Sequence, residues 1–252
     1  KIKPYLAEPY MFRAMAKIQL GDFLGAENDA SMAIERNPFL AYAYYTRGFA
    51  NIKLEKYKEA DEDFTYALEY SPGNSDYLKA RIEAREKSKN YSKAIEDIRE
   101  LQKLYRKEYG LSYEIGRMYL QLNDTVSAEK SFREMIAADS SSYTGWSAIG
   151  ILKMQKQEKD SAYYYYTKAI SKKSTYPGDY INRGILNNQR NNFRQALLDY
   201  DNAIKYDSTE YLGYYNRALL RAYLGDNNNA ISDLNKTLKI DTTLYEAIFK
   251  RA

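Results

Sequence analysis

Residues 41–74 read AYAYYTRGFANIKLEKYKEADEDFTYALEYSPGN, and this stretch decides the fold because its pattern returns every 34 residues. Frames in one phase start at Ala7, Ala41, Ser75, Tyr109, Tyr143, Pro177, Tyr211 and Tyr245, with no insertion between them. Position 8 of the frame reads Ala14, Gly48, Ile82, Gly116, Gly150, Gly184, Ala218 and Ala252. Position 20 reads Ala26, Ala60, Ala94, Ala128, Ala162, Ala196 and Ala230. Small residues at two fixed places suit paired helices, whose backbones come within about 8–10 Å only where a side chain is small. Large residues fill the flanks: Tyr10, Tyr44, Trp146, Tyr180 and Tyr214 at position 4, and Phe64, Phe132, Tyr166 and Tyr200 at position 24.

Each frame holds two apolar-periodic stretches of about 12–14 residues. Polar breakers such as Gly21-Asp22, Asn123-Asp124, Asn191-Asn192 and Gly225-Asp226 separate them. In Asn37-Pro38 and Ser71-Pro72 the proline stops the second helix. Later frames carry Asp139-Ser140, Asp207-Ser208 and Asp241-Thr242 there, which are expected to cap the following helix.

Composition narrows the chemistry. The 252 residues hold 38 basic and 34 acidic side chains, a net charge of +4 spread evenly, without the basic block that tracks a phosphate backbone. Lys172-Lys173 and the arginines from Arg81 to Arg85 read as solvated helix faces, so no nucleic-acid partner is expected. With 12 Gly and 5 Pro the chain has too few punctuators for a fold of many tight turns. There is no Cys and no His, which removes disulfides, thiolate nucleophiles, Cys/His zinc sites and Ser-His-Asp triads. Phosphate-binding glycine motifs and calcium-loop spacings are absent, and carboxylates such as Asp61 and Asp63 read as helix charges. Neither a catalytic residue nor a cofactor is expected. No apolar run approaches the roughly 20 residues that span a bilayer. The composition fits a cytoplasmic or a cell-envelope setting, and a leader removed ahead of Lys1 would leave the same reading.

An aromatic at position 4, Gly/Ala at 8, Ala at 20, an aromatic at 24, Ala at 27 and Pro at 32 together resemble the tetratricopeptide repeat. Residues 41–74 match best, through Tyr44, Gly48, Tyr57, Ala60, Phe64, Ala67 and Pro72. The third frame departs most, with Leu78 and Ile82 at signature positions, and looser packing is expected there. The family's Tyr at position 11 is present only as Tyr119. The resemblance implies an all-α, right-handed superhelical solenoid of antiparallel helix pairs running as one domain over 1–252. Its frames are 7–40, 41–74, 75–108, 109–142, 143–176, 177–210 and 211–244, with a partial eighth at 245–252.

The frames also serve as an internal alignment. Position 7 is Arg13, Arg47, Arg81, Arg183 and Arg217, and position 23 of the same frames is Asp29, Asp63, Asp97, Asp199 and Asp233. The other two frames have Ile115 and Ile149 with Ser131 and Tyr165. Both members occur together or neither does, which predicts an ion pair joining the two helices of a repeat. Losing one partner costs about 3–5 kcal/mol where the pair is buried and nearer 1 where it is exposed.

The resemblance further implies that first-helix positions 2, 5, 6, 9, 12 and 13 line a concave groove for a protein or peptide. Here these include Tyr42, Tyr45 and Phe49, then Lys79, Glu83, Tyr113 and Arg117, then Asn182, Ile185, Tyr215, Asn216 and Leu219, with Met11 and Met15 at the start. Aromatic ends and a charged middle suit an extended or helical peptide. Asn182 and Asn216 share position 6, where a carboxamide can donate to and accept from a peptide backbone. The Lys/Asn set of the family's chaperone-tail clamp is not assembled in three successive frames. Alternatively, Tyr42, Tyr45 and Phe49 pack as satellite core between first helices. The function expected is a non-catalytic interaction scaffold. The alternatives are a structural spacer, an element that self-associates end to end through Ile248 and Phe249, and the accessory domain of a larger protein.

Overall fold

The structure is a computed structural model and describes residues 6–105 and 110–242. Frame eight, with Tyr245, Ile248 and Phe249, lies outside the described residues. All regular structure among the described residues is helical.

Two compact units divide within one helix, between Ala128 and Glu129. The first unit holds α1 (Glu8–Gln19), α2 (Phe23–Arg36), α3 (Ala41–Lys53), α4 (Tyr57–Tyr70), α5 (Ser75–Lys87), α6 (Tyr91–Leu104) and α7 (Gly110–Gln121). The dividing helix is α8 (Thr125–Ala138). The second unit continues with α9 (Thr144–Gln155), α10 (Lys159–Ser171), α11 (Pro177–Gln189), α12 (Phe193–Tyr206), α13 (Tyr211–Tyr223) and α14 (Asn227–Ile240). Within each unit every helix packs on its neighbour in sequence, and first helices of successive repeats also touch, as α1 on α3 and α11 on α13. Helices are in sequential antiparallel pairs, the solenoid arrangement of helical repeats.

The first helix of a pair ends the same way each time. Gly21, Glu55, Lys89, Asn123, Gln157, Asn191 and Gly225, all at position 15, take φ between 58° and 83°. The next amide reaches back to the position-11 carbonyl, as from Asp22 to Lys17 (2.9 Å) and Lys56 to Asn51 (2.8 Å). This is a Schellman closure, and it fixes the hairpin angle. In the loops between repeats Asp207 accepts from the Thr209 amide (2.8 Å), and Asp139 from that of Ser141 (2.9 Å). These aspartates therefore close turns ahead of the helix instead of capping it, and Glu210 caps α13 by accepting from Leu212.

The small residue at position 8 makes room for a ring. A Cβ added to Gly48 would stand 2.7 Å from the Phe64 ring, on Gly150 2.8 Å from Tyr166, and on Gly184 2.6 Å from Tyr200. Close approach is thus between a helix backbone and the aromatic at position 24 of its own repeat. The third repeat closes with aliphatic side chains instead: Leu78, Ile98 and Leu101 are all buried.

Candidate functional site

Ion pairs that tie the two helices of a repeat hold in place the first helices that carry the candidate surface. Arg47 Nη2 donates to Asp63 Oδ1 at 2.6 Å, and Arg81 Nη2 to Asp97 Oδ1 at 2.7 Å. Arg183 reaches Asp199 at 2.6 Å, Arg217 reaches Asp233 at 2.6 Å, and Arg13 pairs with Asp29 through two nitrogens. Guanidinium and carboxylate meet as two parallel hydrogen bonds, the strongest geometry such a pair has.

A further partner completes each tie. At position 11, Asn51 donates to Asp63 (3.0 Å), Arg85 to Asp97 (2.7 Å), Asn187 to Asp199 (2.9 Å) and Arg221 to Asp233 (2.6 Å), and Lys17 pairs with Asp29 (3.0 Å). This donor stands where the family has tyrosine, and it lets the buried carboxylate fill its remaining lone pairs. Three of the arginines also reach backward to position 25 of the preceding repeat. Arg47 donates to Ser31 (3.2 Å), Arg81 to Thr65 (3.3 Å) and Arg217 to Asp201 (2.5 Å). Hydrogen bonding from Arg13 holds the Asp29 carboxyl below its ordinary range.

On the first unit Tyr42, Tyr45 and Phe49 come together on one face of α3. With Met15, Ile18 and Thr46 they line an open pocket of about 190 Å³ between α1 and α3. Tyr45 stacks on Tyr77 of α5 with ring centroids 4.9 Å apart, and Tyr42 lies 5.7 Å from Tyr45. Tyr45 is thus half core and half wall, while Tyr42 remains 37% exposed. The Thr46 hydroxyl donates to the Tyr42 carbonyl of its own helix at 2.8 Å. Ile18, at position 12 of the first repeat, is a lining residue that the sequence reading did not single out.

The charged residues of the face are placed unequally. Lys79 is exposed, with Nζ 5.5 Å from the Tyr105 ring. Arg117 is engaged by Glu86 at 2.6 Å and by Glu114 at 2.8 Å. Tyr113 is half-buried, and Glu83 is exposed.

On the second unit the candidates are more enclosed. Ile185 packs against both Tyr180 and Tyr200 clusters, and Tyr215 packs on Ala218 and Leu234. Leu219 is half-buried. Asn216 donates its amide to the Leu212 carbonyl of its own helix at 2.8 Å. Asn182 lines a depression of about 220 Å³ with Tyr176, Ile181, Asp207 and Glu210. The two carboxamides therefore stand in different circumstances despite their shared register. Among the described residues no helix is long and apolar enough to cross a membrane.

Tetratricopeptide repeat models match residues 41–74, 80–143 and 212–243, together just over half of the sequence. The chain belongs to the tetratricopeptide repeat family. Solved structures repeat the fold of the family along almost its whole length. The C-terminal part of a TPR repeat-containing protein from Cytophaga hutchinsonii is 16% identical, with 96% of this chain and 99% of that one covered at a TM-score of 0.72. A tetratricopeptide repeat protein from Parabacteroides merdae is 18% identical, with 97% of each covered at 0.57. A chain of the APC/C hetero-tetramer Cut9-Hcn1 is 15% identical, with 99% of this chain but 49% of that one covered at 0.57. No curated protein matches the sequence.

Proposed function

We propose that this tetratricopeptide repeat chain is a non-catalytic scaffold that holds a peptide or protein segment against its first helices. The observation that carries this reading is the open apolar pocket on α1 and α3, walled by Met15, Ile18, Tyr42 and Phe49. An apolar hollow of this size, lined by aromatic and aliphatic side chains, matches one anchoring side chain of a bound segment. The repeat fold is typically an interaction module, and one similar solved chain stands in the Cut9-Hcn1 hetero-tetramer.

Selection of displayed random peptides on the wild-type protein, with binding then measured on Phe49→Glu and Met15→Glu, tests this. Enriched peptides are expected to lose at least about tenfold in affinity on either variant, the loss of one buried anchor. Equal binding to wild type and both variants would remove the pocket from the function.

A further inference from the structure

The pocket has a chemical asymmetry along the row of first helices. Position 9 in successive repeats of the first unit is Met15, Phe49 and Glu83, and position 2 is Glu8, Tyr42 and Asp76. The apolar pocket of the first two repeats is therefore followed, on the α5 side, by two carboxylates. Both Glu83 and Asp76 are exposed, and neither has an ion pair among the described residues. Of the neighbouring cations, Lys79 lies over Tyr105 and Arg117 bridges Glu86 and Glu114, while Lys53 lies over the Phe49 ring of the pocket at 5.2 Å. From the pocket wall the rings of Tyr42, Tyr45 and Tyr77 follow one another toward α5, at 5.7 and 4.9 Å.

We infer that the segment bound here is basic and apolar: an aliphatic or aromatic side chain enters the pocket, and a nearby arginine or lysine lies over Tyr42 and Tyr45 toward Asp76 and Glu83. A tyrosine face attracts a cation through its ring quadrupole, and an unpaired carboxylate at its edge adds a charge-assisted hydrogen bond. Free carboxylates beside an aromatic wall favour a cation and repel an acidic segment. Burial pushes the Tyr45 hydroxyl up first, and Tyr42, Asp76 and Glu83 push it further in the same direction. This inference rests on the pocket being the binding surface.

Short fluorescein-labelled glycine–serine peptides carrying one leucine, with arginine, glutamine or glutamate at each nearby position, test it by fluorescence anisotropy. The best arginine peptide is expected to bind about three- to tenfold tighter than its glutamine counterpart at low salt. That preference should shrink as salt is added. Glu83→Gln combined with Asp76→Asn should abolish it and leave the glutamine peptide unchanged. Glu83→Lys combined with Asp76→Lys should reverse it toward glutamate, and both sites are exposed, so circular dichroism should match the wild type. Arginine and glutamine peptides that bind equally overturn this inference and leave the pocket standing. Leucine peptides no better than their glycine counterparts overturn the pocket reading together with it. A dimer seen by light scattering and split by Phe49→Glu would make a second copy the occupant, and would also overturn it.

Discussion

The first helices of the two units present different chemistry on the same architecture. In the first unit position 9 runs Met15, Phe49, Glu83, Arg117, whereas in the second it runs Ile151, Ile185, Leu219. Position 6 ends in a carboxylate in the first unit, Glu114, whereas in the second it runs Ala148, Asn182, Asn216. Yet the ties at positions 7, 11 and 23 are alike in both, Arg47–Asn51–Asp63 against Arg183–Asn187–Asp199. Surface and frame use separate positions of the helix. One can be charged or neutral while the other stays constant, and so a single repeat supports two kinds of binding face.

The strongest test of the constant part is the ring under the glycine. Phe64→Ala in the first unit should cost about 3–5 kcal/mol in urea denaturation. The seventh repeat pairs Ala218 with Leu234 where the second pairs Gly48 with Phe64. Gly48→Ala and Phe64→Leu should therefore each destabilise alone and couple favourably by about 0.5–3 kcal/mol when combined. Strict additivity would mean that ring and glycine are independent.

The carboxylate of the tie sharpens the comparison between units. Asp199 is wholly buried and accepts from Arg183, Asn187 and Gln195, so Asp199→Ala should cost about 3–5 kcal/mol. Arg13, the partner of Asp29, is 47% exposed, so Asp29→Ala should cost only about 1 kcal/mol. Equal losses would show that burial is not what sets the worth of the pair.

Smaller and of opposite sign is the effect of the hairpin turn. Glu55, Lys89 and Gln157 hold φ near 60°, where a side chain costs about 1–2 kcal/mol and glycine costs nothing sterically. Glycine gives part of that back through its freer unfolded state, so each substitution to Gly should raise stability by about 0.5–1 kcal/mol. Unchanged melting temperatures would overturn this.

The least effect is that of acid on Asp29. Its folded pKa is lowered, so its contribution is whole at neutral pH and is lost as pH falls through the ordinary carboxylate range toward that lower value. Stability followed from about pH 5 downward should fall less steeply in Asp29→Asn than in the wild type.

Much of this was legible in the residues. The 34-residue phase is carried by Ala and Gly at fixed positions, because steric limits at a helix crossing leave few alternatives. The co-occurrence of Arg13 with Asp29 and of Arg217 with Asp233 pointed to intra-repeat partners because opposite charges 16 residues apart recur together. A second co-occurrence runs through the frames. Gly48, Gly116, Gly150 and Gly184 stand in the repeats with Phe64, Phe132, Tyr166 and Tyr200, and Ala14, Ile82 and Ala218 in those without a ring at position 24. The missing position-11 tyrosine also had a reason, since Lys17, Asn51, Arg85, Asn187 and Arg221 all occur with the aspartate. What the sequence could not give is the state of each surface group. Asn182 and Asn216 look alike in register, but the amide of Asn216 is bonded to Leu212. Arg117 and Glu83 look alike as groove charges, but Arg117 is neutralised by neighbours. Such differences depend on rotamers and on the next repeat, which spacing alone does not encode.

The backward reach of the position-7 arginines gives the repeats an order. Each junction of this kind is a lock with two halves, an arginine on the later repeat and an acceptor on the earlier one. Ser31 and Thr65 offer hydroxyls to Arg47 and Arg81, and Asp201 offers a carboxylate to Arg217. Repeats are then not interchangeable tiles. A shuffled array would bring hydroxyl seams and carboxylate seams against the wrong neighbours, and the succession of repeats is written in the seams as well as in the repeats themselves.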